Sequence, residues 1–117
     1  MSDSIKIYHN PRCSKSRATM ELLADNSVNS EVIEYLKTPP SKQELEDILK
    51  MLGLEPRQLM RTHEAEYKDN NLADESLSRE QLIDAMIQHP KLIERPIVIN
   101  NGKAAIGRPP ESILEIL

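Results

Sequence analysis

The stretch Ile5-Lys6-Ile7-Tyr8-His9-Asn10-Pro11-Arg12-Cys13-Ser14-Lys15-Ser16-Arg17 decides the fold of this chain. Ile5 to His9 is a short apolar run with strand character, and Asn10-Pro11 interrupts it with a turn. Cys13 follows at once. A helical pattern then begins at Ser14, with Ala18, Leu22 and Leu23 on one face, and ends in the polar Asp25-Asn26-Ser27. Glu31-Val32-Ile33-Glu34-Tyr35-Leu36 reads as a second strand, stopped by Thr38-Pro39-Pro40. Strand, helix and strand in about thirty residues predict a βαβ unit with a right-handed crossover.

Two capping boxes organise the middle of the chain. Ser41-Lys42-Gln43-Glu44 opens a helix with Leu45, Ile48, Leu49 and Leu52 on one face, and Gly53 is suited to its C-terminal end. Ser78-Arg79-Glu80-Gln81 opens another, with Leu82, Ala85 and Met86 inward, ending before Pro90. Between them a short helical turn is expected at Arg57–Arg61 and a loop around Leu72-Ala73-Asp74. Met51, Met60 and Met86 are assigned to the core. Downstream, Ile97-Val98-Ile99, the turn Asn100-Asn101-Gly102 and Lys103-Ala104-Ala105-Ile106 predict a hairpin, because Asn-Gly supports primed turns. Pro109-Pro110-Glu111 starts a last helix carrying Ile113, Leu114, Ile116 and Leu117. The order β-α-β, helical insert, β-β-α is that of an α/β, thioredoxin-like (glutaredoxin-like) mixed sheet with a helical insertion. The expected organisation is one domain over 1–117 with the insert at about 41–90.

Composition narrows the function. The 117 residues are 38% hydrophobic and 29% charged, with no Phe or Trp, so a soluble globular protein with an aliphatic core is expected. A net charge of -4 speaks against a general nucleic-acid binder. The chain shows no apolar run long enough to span a membrane and no signal-peptide core, and a single cysteine asks for no oxidising compartment. A cytoplasmic protein, without membrane or nucleic-acid partners, is the expectation. His9, His63 and His89 are far apart and lack zinc-ligand spacing, so no metal is expected.

Cys13 carries the chemistry. At the first turn of a helix, unpaired N–H groups and the helix dipole favour negative charge. Arg12, Lys15 and Arg17 add three positive charges, and a thiolate in such a setting is a nucleophile. A lone cysteine is more commonly a buried structural one; the helix start and the basic neighbours favour the reactive reading. In Cys13-Ser14-Lys15-Ser16 the position of a resolving thiol is a hydroxyl, so an outside thiol or water must release any adduct. Phosphatases of the C-x5-R type are disfavoured, since Thr19 stands where their arginine would. His9 is either an aid to the thiolate, as charged neighbour or hydrogen-bond donor, or a half-buried strand-end residue; Tyr8 is assigned to packing. Arg61, Arg95 and Arg108 each read singly as solvated surface arginines. An oxyanion site, however, needs several guanidinium groups from distant segments. The Arg95–Pro96 bond, placed before a strand, is a candidate for the cis form.

These residues resemble the glutathione/glutaredoxin-coupled arsenate reductases, the ArsC family. The likeness runs from Ile5 to Leu117 and rests on Tyr8-His9-Asn10-Pro11 with Cys13 and Ser16-Arg17, on Leu59-Met60-Arg61, on Leu82-Ile83 to His89-Pro90, on Arg95-Pro96-Ile97-Val98 and on Arg108-Pro109. The resemblance implies a short, single-cysteine arsenate reductase with Cys13 as nucleophile and His9 favouring the thiolate. It makes Arg61, Arg95 and Arg108 the oxyanion ligands, Pro96 the cis-proline of the fold, and Asn10, Ser16 and Arg17 supporting residues. It implies no bound cofactor, glutathione as co-substrate, glutaredoxin as partner, arsenate or a similar oxyanion as substrate, and a monomer. Arg12, Ser14 and Lys15 depart from the smaller, less charged residues of well-studied members, and a sequence that stops at Leu117 is expected to belong to a short subgroup without the C-terminal extension that some carry. The alternatives are a glutathione-dependent thiol oxidoreductase with another substrate and, more distantly, a regulator resembling Spx that binds RNA polymerase. Spx-type proteins commonly carry a C-x-x-C switch, which Ser16 abolishes here.

Overall fold

A computed structural model describes residues 5–26 and 29–117; Ser27, expected at the end of the first helix, lies outside the described residues. The chain forms two compact units, one of residues up to Thr38 with Arg95–Leu117, the other Pro39–Glu94.

The first unit holds a four-stranded sheet in the order β2-β1-β3-β4. Strand β1 (Ile5–His9) runs into helix α1 (Ser14–Asp25), and β2 (Ser30–Glu34) returns parallel to β1, with Ile7 opposite Val32. Strand β3 (Ile97–Asn100) lies antiparallel on the other side of β1, and β4 (Lys103–Ile106) completes the hairpin. The mixed sheet is thioredoxin-like. Positive φ at Asn101 (51°) and Gly102 (79°) gives the primed turn expected of that pair.

Because β1 is central, its burial does not alternate: Tyr8 and His9 are both buried beside Ile7. Strand β2 is shorter than the apolar run that announced it. The N–H groups of Lys37 and Thr38 both donate to the Glu34 carbonyl at 2.9 Å, turning the chain directly after Glu34. On this edge strand Val32 is exposed. The core unites Ile5, Ile7, Leu23, Val98 and Ile113, with Met20, Leu22, Ala105 and Ile116 packed against it.

The final element corrects the expected α-helix. Pro110–Ile116 is a 3₁₀ helix, whose period of three residues aligns Pro110, Ile113 and Ile116. Ile113 is buried and Ile116 half-buried, whereas Leu114 and Leu117, expected on the apolar face, are exposed.

The second unit is helical. Both capping boxes form: Ser41 accepts from the Glu44 N–H before α2 (Lys42–Leu52), and Ser78 from the Gln81 N–H before α5 (Arg79–Gln88). Gly53 adopts φ 68° at the end of α2, a left-handed position suited to glycine. Leu45, Ile48 and Leu49 of α2 and Leu82, Ile83 and Met86 of α5 are buried, and the two helices pack together. Helix α3 (Pro56–Leu59) is the expected short turn, ending earlier because Met60 turns extended and bridges to Ile93. Helix α4 (Ala65–Asp69) has no buried residue, so no apolar period announced it.

Gly107 sits where the first unit closes on itself. Its N–H donates to the Pro96 carbonyl at 2.9 Å, and a Cβ there would lie 2.8 Å from Pro96 Cγ and press on Thr19 Oγ1. Neither the pyrrolidine ring nor the buried threonine yields easily. Gly107→Ala is therefore expected to destabilise the fold by about 1–3 kcal/mol, as overpacking does. Urea unfolding measures it, and unchanged stability would show that this junction accommodates a methyl group.

Candidate active site

Cys13 is the N-cap of α1, extended at φ −93° and ψ 124°, with the first helical turn beginning at Ser14. Its N–H donates to the Asn10 carbonyl at 3.0 Å and its carbonyl accepts from the Arg17 N–H at 3.0 Å, so the main chain fixes the residue on both sides. Cys13 is buried, with 9% of the residue exposed. It makes no short cap bond of the kind a serine hydroxyl would. Instead the Ser16 and Lys15 N–H groups point toward the sulfur and favour its anion.

The balance at the sulfur places the pKa below its ordinary value. Burial is the largest influence and pushes it up. It is outweighed by the Ser16 N–H, by the hydrogen bond and charge of the Arg95 guanidinium, and by the Lys15 N–H. Arg108 also approaches, with Nη2 at 3.9 Å from Sγ, a long contact. Arg108 Nε donates to the Arg95 carbonyl at 2.9 Å, tying the two arginines together. Both precede cis peptide bonds, Arg95–Pro96 and Arg108–Pro109.

The source of positive charge differs from the sequence expectation. Arg12, Lys15 and Arg17 are all exposed, and none of their side-chain charges contributes to the shift at Cys13. The stabilising cation is Arg95, more than eighty residues away in sequence. Proximity along the chain is a poor guide here, since Arg12 sits in the exposed turn and Lys15 and Arg17 on exposed positions of α1.

His9 is buried at the end of β1, and its Nδ1 lies 2.6 Å from Ser16 Oγ. The same oxygen accepts the Asn10 N–H at 3.0 Å. Burial lowers the His9 pKa, opposed by the negative charge of Glu34, so the imidazole is held toward its neutral form. Of the two roles considered for His9, a charged neighbour is disfavoured. The ring instead fixes Ser16, whose N–H faces the sulfur. Ser16 is fully buried and its hydroxyl is committed within this knot. Tyr8 is buried, as assigned.

The structure thus brings Cys13, Arg95 and Arg108 together, with Asn10, Ser16 and His9 behind them and Pro96 packed near Gly107. Arg17 contributes its backbone N–H. Arg61 belongs to the helical unit. Its Nε donates to Glu64 at 2.9 Å and its Nη1 to Glu94 at 3.3 Å, Nη2 lies 3.3 Å from His63 Nε2, and its side chain is 11% exposed. The sequence reading paired neither Glu64 nor Glu94 with Arg61, and Glu94, thirty-three residues away, left no local signal of it. Among the described residues no three His, Cys, Asp or Glu side chains gather as a metal site requires. No helix among them is long and apolar enough to cross a membrane.

Comparison with known proteins decides the family. The profile of the ArsC family matches residues 8–116. The chain belongs to the ArsC family. This member is 59% identical to the Escherichia coli protein described as uncharacterized protein YfgD, over 100% of this chain and 99% of that one. It is 50% identical to a Neisseria meningitidis arsenate reductase, over 97% of each chain. The solved structure of an arsenate reductase from Vibrio cholerae superimposes with a TM-score of 0.96 at 53% identity, covering 100% of both chains.

The Cys13 balance has a pH signature. A thiol whose pKa is lowered becomes reactive at lower pH than an ordinary cysteine. The rate of Cys13 alkylation by iodoacetamide is expected to inflect below the usual cysteine range, and Arg95→Ala to move the inflection upward. Arg108→Ala should move it less. Identical profiles for wild type and Arg95→Ala would show that Arg95 does not hold the thiolate.

Proposed function

We propose that this protein is an arsenate reductase that works through a Cys13 thiol–arsenate adduct, with glutathione and glutaredoxin as reductant. The observation that carries the reading is the convergence of Arg95 and Arg108 on a buried thiol of lowered pKa. The arsenate reductase names of relatives at 50% identity and of the Vibrio cholerae structure support the substrate. In this reading the Cys13 thiolate attacks arsenic(V), an S–As bond forms and an As–O bond breaks, the oxygen leaving as water after protonation. The guanidinium groups neutralise the oxyanion while this happens. Glutathione thiolate then attacks the Cys13 sulfur. An S–S bond forms, the S–As bond breaks, and its electron pair reduces arsenic(V) to arsenic(III), which departs as arsenite. Glutaredoxin removes the glutathionyl group. The committed Ser16 hydroxyl supports an outside reductant, since the chain has no second cysteine.

A second reading keeps the site and changes the substrate: a glutathione-dependent oxidoreductase acting on another acceptor or on glutathionylated protein. It is favoured by the single thiol backed by a buried hydroxyl.

NADPH consumption with arsenate, glutathione, glutaredoxin and glutathione reductase separates the two. Turnover that requires arsenate and vanishes in Cys13→Ser is the expected result; a reactive Cys13 without arsenate-dependent turnover would move the function to the second reading. Arg95→Ala and Arg108→Ala are expected to raise KM for arsenate about ten- to a hundredfold, the value of charge-assisted hydrogen bonds. Arg61→Ala should have a smaller effect, because two carboxylates already offset its charge. Unchanged kcat and KM in all three would dismiss a shared oxyanion site.

A further inference from the structure

We propose that the cleft beside the Cys13 turn seats the tripeptide thiol that completes the cycle, binding its charged ends; this rests on the glutathione-coupled reading above. The cleft has a volume of about 320 Å³ and is lined by Asn10, Pro11, Arg12, Glu34, Leu36 and Lys37. That is within the size range of small-molecule sites. One wall is the turn that delivers the nucleophile, held by the Cys13 N–H on the Asn10 carbonyl and the Arg12 N–H on Asn10 Oδ1, both at 3.0 Å. Arg12 and Cys13 are adjacent, so their Cα atoms are about 3.8 Å apart, and an extended tripeptide spans about 10 Å. A ligand with its sulfur on Cys13 therefore has the reach to lay its ends along this wall.

The cleft is the electrostatic complement of glutathione. Lys37 Nζ and Glu34 Oε1 are 3.5 Å apart, with side chains 79% and 43% exposed. Such a surface pair is weak and exchanges readily for another ionic partner. The γ-glutamyl end of glutathione carries an α-carboxylate beside an α-ammonium, which match Lys37 and Glu34 in turn. Its glycine carboxylate matches Arg12. Leu36, 39% exposed, offers apolar surface to the methylenes between.

The mixed disulfide that the cleft would hold forms without arsenic. When Cys13 thiolate attacks glutathione disulfide, one S–S bond replaces another and a glutathione thiolate leaves, with no net gain or loss of electrons. The test compares the rate of this reaction with that of hydroxyethyl disulfide, a neutral reagent, each followed by protein mass. The ratio of the two rates cancels changes in folding or thiolate reactivity. Lys37→Ala and Arg12→Ala are each expected to lower the ratio severalfold, and together about tenfold. Lys15→Ala is the control, being exposed near Cys13 and outside the cleft. A ratio unchanged in the double variant overturns the proposal, as does an equal fall in Lys15→Ala, which would reduce the effect to general surface charge. Arsenate turnover is measured separately. A cleft-dependent ratio without arsenate reduction removes only the arsenate reading, and arsenate reduction with an unchanged ratio removes only the cleft.

Discussion

The contact between Arg95 and the Cys13 sulfur is the interaction on which the site depends. A thiol as buried as Cys13 is driven toward its neutral, unreactive form by loss of water, and that is the largest single influence on it. Helix N–H groups oppose this, as they do wherever an anion sits at a helix start. Arg95 adds a full charge and a hydrogen bond. Burial then becomes useful, because a cation and an anion attract more strongly where water is scarce. The same surroundings that suppress a lone thiol sharpen its response to a guanidinium.

The sheet makes that contact possible. Strand β1 lies between β2 and β3, so the loops leaving β1 and entering β3 meet at one end of the sheet. Cys13 follows β1 and Arg95 precedes β3, while Gly107 and Arg108 follow β4, which is paired to β3. Antiparallel pairing of β3 with β1 and of β4 with β3 returns the chain to that same end. The core beneath, from Ile5 and Ile7 to Val98 and Ile113, keeps these strand ends in register. His9 and Ser16 then lock the turn from behind.

Much of this was legible in the residues, for identifiable reasons. The capping boxes at Ser41 and Ser78, the left-handed Gly53 and the Asn101-Gly102 turn are local devices, encoded within a few residues and formed as read. The nucleophile was legible because a helix start is also a local device. The cation beside it was less so: Arg12, Lys15 and Arg17 were the nearer candidates in sequence, Arg95 entered only through the family resemblance, and strand pairing is what brings it to the sulfur. The 3₁₀ helix was misread because Ile113, Leu114, Ile116 and Leu117 fit an α-helical stripe, whereas packing on the core selects a period of three. Short α4 buries nothing and left no apolar signal to read.

Arg108 rests on the Arg95 carbonyl, a main-chain atom that every residue type possesses. The scaffold for the second guanidinium is therefore independent of the side chain at position 95. The side chain at position 95 can be exchanged, and with it the charge at the sulfur, while the Arg95 carbonyl still seats Arg108. Placement and charge are thus separable properties of this site, one carried by the main chain and the other by a side chain.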